Sequence, residues 1–299
     1  MSALDNEKPI LAEGRLDLGL AADGYLRWAV ADLTRITQEA RDRHDMGPVA
    51  TAALGRCMAG SALLLRLAEK TPSRLSVEVR GDGPILRIFA EADEEGNLRG
   101  MVGDPKVDVP HWDNNKLAVG RAVGKGHLWV RREFARGGGY QSQVELVSGE
   151  IGEDLAHYLR QSEQTNSAVL LGVLARPTGV VAAGGMIVEL LPGAPESLID
   201  TLEKNIAGIP GISELFDTGG LPHVVDTVLA GLDREVRETT PIRYRCRCSR
   251  ERLLQHLILL PADDRDYLRR ENGTIDADCV FCGEHYVFSP EELATETAN

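Results

Sequence analysis

The chain has 299 residues, of which 43% are hydrophobic and 26% are charged, and its formal net charge is −13. This composition is typical of a globular protein with enough apolar residues for one large domain or two smaller ones. Because phosphate contacts need Lys and Arg, so acidic a chain argues against general binding to nucleic acids or to anionic membranes.

Signals for membrane insertion or export are not visible in the sequence. No stretch reaches the roughly 20 apolar residues of a membrane span. The N-terminus "MSALDNEKPI" lacks the basic and apolar regions of a signal peptide. We therefore expect a cytoplasmic protein, and in a reducing compartment close cysteines bind metal or do redox chemistry more often than they form permanent disulfides.

Residues 12–192 predict an α+β core domain. Two strand-like runs, 15–21 and 25–30, are joined by a turn at Asp23-Gly24, and a long apolar helix follows over 46–70. The remaining elements are a helix over 152–164 and strand-like runs over 74–80, 85–92, 98–103, 127–134, 142–147, 168–175 and 179–190. Strands that cluster with few helices between them favour an α+β fold over a repeated βαβ sheet.

Residues 193–243 predict a helical linker. Prolines interrupt this segment, and apolar residues mark two short helical faces, one from Leu198 to Ile206 and one from Val225 to Leu232. Helices this short are not stable alone, so their apolar faces must rest on another part of the protein. Two interpretations stay open: an ordinary connector, or a segment of marginal stability that can be released.

Residues 244–290 predict a small metal-binding domain that carries four of the five cysteines. Cys246 and Cys248 form a C-x-C pair, and after 30 residues Cys279 and Cys282 form a C-x2-C pair. Zinc prefers four tetrahedral ligands, and thiolates suit it well. We therefore predict one Zn²⁺ per chain, held by these four cysteines, in a closed site that is structural or redox-active rather than hydrolytic.

The surroundings of the cysteines fit this prediction. Five arginines lie within residues 243–252, where they can stabilise the negative charge of a zinc site with four thiolates. His256 and His285 are alternative ligands in principle, but four cysteines already complete the shell. Between the pairs the pattern predicts two helices, the first capped by Ser249, and residues 274–288 predict a β-hairpin. So small a unit should depend on its metal for folding.

The close spacing within each pair also permits a reversible oxidation sensor. A thiolate that is oxidised to a sulfenic acid would have a second cysteine beside it to form a disulfide. Inert zinc ribbons are built from similar pairs, so the spacing alone does not decide between the two roles.

In its cysteine motif and in several upstream blocks, the chain resembles the Hsp33 family of redox-regulated molecular chaperones. The motif with "CSRERL" after the first pair and "CVFCGEHYVF" at the second is similar to the zinc-switch signature of that family. The upstream blocks "HDMGPVATAALGR", "RGDGP", "YLRQSEQT" and "AAGGMIVELLP" occur in the expected order, and the resemblance covers essentially residues 12–290.

The resemblance implies a function and a mechanism. It implies an ATP-independent holdase, commonly dimeric, whose core domain binds unfolded clients and whose linker covers that surface in the reduced state. It further implies that oxidants such as hypochlorite, or peroxide with heat, form two disulfides, expel zinc and unfold the switch and the linker. By position, Cys246 would pair with Cys248, and Cys279 with Cys282.

Other classes of function have weaker support. The alternative is a zinc-ribbon nucleic-acid-binding protein, against which the acidic composition counts; a metalloenzyme or thiol oxidoreductase would need an open metal position or a lone reactive thiol. "GRAVGKGH" lacks the spacing and the Ser/Thr of a phosphate loop, and we expect no enzymatic activity.

Cys57, inside the apolar helix, is expected to be a core thiol outside the switch. Glu163, Gln164 and Thr165 lie in a family-like block, but the sequence assigns them no chemical role.

Overall fold

A computed structural model describes residues 9–113 and 116–295 of the chain, so most of the N-terminal segment lies outside the described residues. The chain divides into two compact units, one over Ile10–Tyr244 and one that starts at Arg245. The mixture of a large sheet, helices and a C-terminal cysteine cluster confirms the predicted α+β class.

The first unit contains ten strands and six helices among the described residues. The strands are β1 (Ala12–Ala21), β2 (Leu26–Asp32), β3 (Arg74–Gly81), β4 (Arg87–Asp93), β5 (Asn97–Val102), β6 (Gly126–Glu133), β7 (Gly139–Glu145), β8 (Ser167–Arg176), β9 (Gly179–Leu190) and β10 (Arg234–Tyr244). The helices are α1 (Thr34–His44), α2 (Pro48–Leu67), α3 (Val119–Val123), α4 (Gly152–Ser162), α5 (Glu196–Ala207) and α6 (Ile212–Val228).

The strands form one sheet in the order β7-β6-β3-β4-β5-β10-β1-β2-β9-β8. Neighbouring strands are antiparallel, except that β10 and β5 are parallel and pair only at Arg243 with Asn97 and at Tyr244 with Leu98. The contact between the half of the sheet that ends at β5 and the half that begins at β10 is therefore short. Strand β10 is held mainly by its ten paired positions on β1. Asp17 reinforces that pairing, since its buried carboxylate accepts a hydrogen bond from Thr239 Oγ1 at 2.8 Å.

Helix α2 is the centre of the main core. Pro48 occupies its first turn, and its apolar residues contact strands from both halves of the sheet. The sequence suggested that no stretch was long enough for a membrane span, but Pro48–Leu67 meets that criterion by length and composition. In the fold, however, 89% of its most apolar 18-residue stretch is buried, as expected of the core helix of a folded domain.

Helices α5 and α6 cover the face of the sheet formed by β2, β8 and β9. Their buried residues include Leu198, Leu202 and Phe216, which pack with Trp28 and Met186 of the sheet in a second apolar cluster. Helix α6 is kinked at Gly220, where φ is 64°. The predicted helical faces therefore do rest on the sheet: Leu198, Leu202, Val225, Val228 and Leu229 are buried, and Ile206 and Leu232 are partly buried against the same cluster.

Several elements differ from the sequence-based expectation. Helices α1 and α3 were not predicted, and the long helix ends at Leu67 rather than at residue 70. The segment 193–243 contains two helices as predicted, but its last part, from Arg234 onwards, is strand β10. That strand is mostly exposed and rich in charge, so its own sequence carries no core-facing alternation; its pairing with β1 defines it.

The second unit is small, and the part of it that the structure describes contains five short elements. They are α7 (Arg250–Leu259), α8 (Ala262–Leu268), β11 (Ile275–Asp278), β12 (His285–Phe288) and α9 (Pro290–Thr295). The predicted hairpin is confirmed, with β11 and β12 antiparallel. Its apolar core has four buried members, Leu257, Ile275, Phe288 and Leu293. So small a core needs a further source of stability.

Candidate metal centre

Two local structures present the four cysteines. Cys246 and Cys248 lie in an extended segment that leads into α7, and Ser249 caps that helix by accepting a hydrogen bond from the Arg252 backbone N–H at 3.2 Å, as predicted. Cys279 and Cys282 lie in the turn between β11 and β12. There the carbonyl of Cys279 accepts from the backbone N–H of Cys282 at 3.2 Å and of Gly283 at 2.8 Å. Gly283 has a φ of 67°, which a residue with a side chain rarely adopts.

The four sulfur atoms converge on one point. They all lie within 4.8 Å of one another; Cys246 Sγ is 3.6 Å from Cys279 Sγ, and Cys248 Sγ is 3.5 Å from Cys282 Sγ. Four thiolates at about 2.3 Å from a tetrahedral zinc ion would be separated by roughly 3.8 Å. The distances therefore fit a four-thiolate metal site and are too long for disulfide bonds, and all the cysteines are free.

The cluster is mostly shielded from solvent. Cys246, Cys279 and Cys282 are buried, and Cys248 is half-buried. The thiols of the cluster do not all ionise together. Hydrogen bonds from Cys279 and Cys282 lower the pKa of Cys246. The hydrogen bond to Cys246 raises the pKa of Cys279 to about 11, and it also raises the pKa of Cys282. A divalent cation at the centre would compensate the charge of all four thiolates, so the donor set fits a metal ion.

Tyr286 is a member of the site that the sequence did not single out. Its hydroxyl lies 3.4 Å from Cys248 Sγ, and its ring stacks on Phe288 with centroids 6.4 Å apart. It packs against both the cysteine cluster and the small apolar core. The signal was present as strand alternation, since Tyr286 and Phe288 are two residues apart and so lie on the same face of β12.

His285 and Arg250, which lie near the cysteines, have other partners. His285 Nδ1 is 2.7 Å from Asp278 Oδ1, and His256 is exposed on α7. Arg250 donates to the Glu292 carboxylate at 2.8 Å and to the Val287 carbonyl at 2.7 Å, and it lies over the Phe288 ring. This arginine therefore connects α7 to the hairpin and to α9, a structural role that its position beside the cysteines did not suggest.

Cys57 lies far from the cluster in sequence and inside the core of the first unit. It is fully buried in α2, and burial strongly raises the pKa of its thiol. The prediction of a core thiol agrees with this position.

Glu163, to which the sequence assigned no role, is a hydrogen-bond acceptor in a buried network. Its carboxylate accepts from Arg132 and from the Tyr158 hydroxyl, and Arg132 also donates to Tyr140 Oη at 2.8 Å. Because Arg132 is almost completely buried, Glu163 supplies the opposite charge that the guanidinium needs. Gln164 follows in the left-handed region with a φ of 56° and so ends the helix.

Comparisons with known proteins agree with one another. The family model described as Hsp33 protein matches residues 15–289. A 33 kDa chaperonin of Thermus thermophilus is 44% identical over 95% of this chain and 87% of its own, and one of Symbiobacterium thermophilum is 45% identical over 92% and 94%. The crystal structure of a 33 kDa chaperonin, a heat shock protein 33 homolog of Thermotoga maritima, superposes with a TM-score of 0.87 at 35% identity, covering 94% of this chain and 96% of that one.

Proposed function

This chain belongs to the Hsp33 family of chaperones, and we propose that it is a redox-regulated, ATP-independent holdase that binds unfolding proteins under oxidative stress. The observation that carries the proposal is the convergence of four free thiols in a unit whose apolar core is too small to hold it together alone. A chemical change at the thiols would therefore be a change in the folding of the whole unit.

The proposed ligands are Cys246, Cys248, Cys279 and Cys282, and the proposed ion is one Zn²⁺ per reduced chain. Four sulfur donors in a closed tetrahedral arrangement favour zinc over harder cations such as magnesium or calcium. When bound, the ion would cross-link the C-x-C segment to the hairpin turn. The cysteines hold it as thiolates, and Tyr286 and the turn at Gly283 orient them.

Activation proceeds through oxidation of the ligands. In each pair two thiolates give up two electrons and become one disulfide, and hypochlorite, as the oxidant, takes up these two electrons and two protons from the solvent and becomes chloride and water. A disulfide sulfur carries no negative charge, so the cysteines lose their hold on the cation. The C-terminal unit then loses most of its stabilising free energy, because binding free energy is folding free energy in so small a domain.

In the first unit, two helices cover an apolar face of the sheet that could bind unfolded proteins. Helices α5 and α6 bury Trp28, Val30 and Met186 on the face of β2 and β9, and without these helices a wide apolar face would be exposed. We propose that this face belongs to the client-binding domain, 12–192, that the segment 193–243 is the linker that covers it, and that 244–290 is the redox switch.

The covalent path from the switch to the linker runs through β10. The chain leaves this strand at Tyr244 and reaches Cys246 two residues later, while its other end follows α6. Unfolding of the C-terminal unit would free the end of β10 at Tyr244, and the linker would then be held only by the packing of α5 and α6 on the sheet and by the pairing of β10 with β1. The segment 193–243 is negatively charged, with nine acidic residues against four basic ones. Because salt screens exposed charges, the release of this segment should depend on ionic strength.

The proposed partners are unfolded or partly folded proteins, with a homodimer in the activated state and no specific nucleic acid or membrane. The proposed compartment is the cytoplasm, whose reducing thiol pool would keep the site loaded until an oxidant appears. We further propose that the protein has no enzymatic activity of its own.

Aggregation of a heat-unfolded client protein tests this function. Reduced protein should leave aggregation unchanged, oxidised protein should suppress it without ATP, and re-reduction with zinc should reverse the effect. Equal suppression before and after oxidation would contradict the proposal, and so would tight, salt-dependent binding to RNA or DNA by the reduced form.

A further inference from the structure

Cys248 differs from the other three thiols of the cluster in its exposure and in its neighbour. It is the half-buried member, and the Tyr286 hydroxyl lies 3.4 Å from its sulfur, within hydrogen-bonding distance for a sulfur acceptor. A thiolate has no hydrogen to donate, whereas a phenolic hydroxyl is both donor and acceptor. Once Cys248 is a metal-bound thiolate, Tyr286 is therefore the donor.

We infer that Tyr286 is a positioning residue of the redox switch: its hydrogen bond to the Cys248 thiolate sets how firmly the site holds its metal and how slowly Cys248 reacts. The inference deepens the proposed function and rests on the proposed metal site. No ligand role for Tyr286 itself is implied.

The position of the Tyr286 ring makes this hydrogen bond a fixed feature of the fold. On β12 it pairs with Ala277 of β11, and its ring stacks on the fully buried Phe288 with an interplanar angle of 22°. The ring thus lies between the thiol cluster and the small apolar core and contacts both. A hydroxyl held in this way cannot turn away from Cys248 without disturbing the core.

The chemical effect of the hydrogen bond follows from the charge on sulfur. A donor draws electron density from the thiolate, which stabilises the bound, ionised form and lowers its nucleophilicity toward electrophiles and oxidants. Removal of outer partners of metal ligands typically weakens metal binding by about 10–100-fold. Without the hydroxyl, the most accessible thiol of the site would therefore also become the most reactive one.

The variant Tyr286→Phe removes the hydroxyl and keeps the ring. The matched control is Tyr267→Phe, which makes the same change at a tyrosine of the same unit that is 89% exposed. Reduced full-length protein is loaded with zinc, and zinc transfer to a competing chelator and the alkylation rate of each cysteine by iodoacetamide are measured, the latter by peptide mass spectrometry. Cobalt-loaded samples add the sulfur-to-metal charge-transfer band, which reports directly on the thiolates.

We expect zinc affinity to fall by about 10-fold or more in Tyr286→Phe. We also expect faster alkylation of Cys248 relative to Cys246, and a shifted charge-transfer band, with Tyr267→Phe equal to wild type. In the wild-type protein, the Tyr286 hydroxyl proton should be protected from exchange in NMR spectra, which tests the bond even if the variant folds poorly.

Three results would overturn the inference. The first is a Tyr286→Phe variant with wild-type zinc affinity and wild-type Cys248 alkylation. The second is equal acceleration at all four cysteines, which would indicate loosened packing in place of a specific hydrogen bond. The third is an unprotected hydroxyl proton. A wild-type chain that binds no zinc would instead overturn the metal site, and this inference with it.

Discussion

Gly172 of β8 lies directly beneath Ile212 of α6. A Cβ atom on Gly172 would stand 2.7 Å from Ile212 Cγ2 and 2.9 Å from the backbone nitrogen of Ser213, and these two residues supply all three of its nearest contacts. The absence of a side chain at this position is therefore what lets the first turn of α6 approach the sheet.

The variant Gly172→Ala should displace α6 and activate the reduced protein. The added methyl group would stand 2.7 Å from Ile212 Cγ2 and 2.9 Å from the Ser213 backbone nitrogen, so the start of α6 has to shift to accommodate it. We expect client binding without oxidation, with zinc still bound. The measurement is suppression of client aggregation, together with limited proteolysis between residues 193 and 233.

The matched control is Gly208→Ala, at the end of α5. There the nearest contact of the new Cβ would be an ordinary 3.6 Å. This variant should stay inactive while reduced. An inactive Gly172→Ala protein whose linker is nevertheless open to protease would show that release of the linker is not the switch.

Replacement of Leu198 and Leu202 by Asn tests release of the linker at its other helix, α5. Both leucines are buried under α5, and loss of a buried leucine side chain typically costs about 2–5 kcal/mol. The reduced double variant should bind unfolded clients better than wild type. Asp200→Asn with Glu203→Gln changes exposed positions of the same helix and should have no effect.

Cys57 should be dispensable for activation. Its thiol is buried, its pKa is strongly raised by burial, and its Sγ lies 3.6 Å from the Val77 carbonyl. Cys57→Ser should reduce the free energy of unfolding by about 1–3 kcal/mol, because a hydroxyl replaces the thiol in an apolar site. Oxidant-dependent activation should persist. A folded Cys57→Ser protein that no longer responds to oxidant would contradict the assignment of this thiol to the core.

The disulfides of the oxidised protein are predicted to join Cys246 to Cys248 and Cys279 to Cys282. In the folded cluster, sulfurs of different pairs approach to 3.5 and 3.6 Å, so geometry alone does not select neighbours. Once the ligand set is lost and the unit unfolds, short loops close at the smallest entropic cost. Peptide mapping by mass spectrometry would reveal the pairing. A dominant link between Cys246 and Cys279 would mean that oxidation is complete before the unit unfolds.

The buried pair of Arg132 and Glu163 should stabilise the first unit. Glu163→Leu leaves the guanidinium without its carboxylate, and removal of one partner of a buried pair costs about 3–5 kcal/mol; the lower end is expected, since the Glu163 side chain is 25% exposed. Arg132→Met with Glu163→Leu should cost less than the sum of the single changes. Urea unfolding gives all four free energies. Additive costs would show that the two residues do not act together.

The cysteine cluster was the part of the protein most accessible to sequence reasoning. Pairs spaced one and two residues apart restrict where Cys246, Cys248, Cys279 and Cys282 can point, so the local pattern already implies a cluster. The strand pair β1–β2 and the hairpin β11–β12 were accessible for the same reason, because each depends on near neighbours in the sequence.

The missed features depend on distant partners. Strand β10 is defined by its pairing with β1, which lies more than 200 residues earlier, and its own residues are mostly exposed. Glu163 gains its role from Arg132 on another element, and Tyr286 from Cys248, 38 residues before it. No local periodicity reveals such contacts. The apolar faces of the linker showed that it must pack on another part of the protein, but not that this part is the face formed by β2, β8 and β9.

The most direct test of the proposed redox activation follows zinc release and client binding together in one sample. Reduced, zinc-loaded protein is treated with hypochlorite while a metal indicator reports released zinc and light scattering reports aggregation of an unfolding client. We expect release of one zinc per chain, with suppression of aggregation that appears only as the zinc is released and is lost again after reduction with zinc present. Full suppression while the zinc is still bound, or complete release of zinc without any suppression, would contradict it.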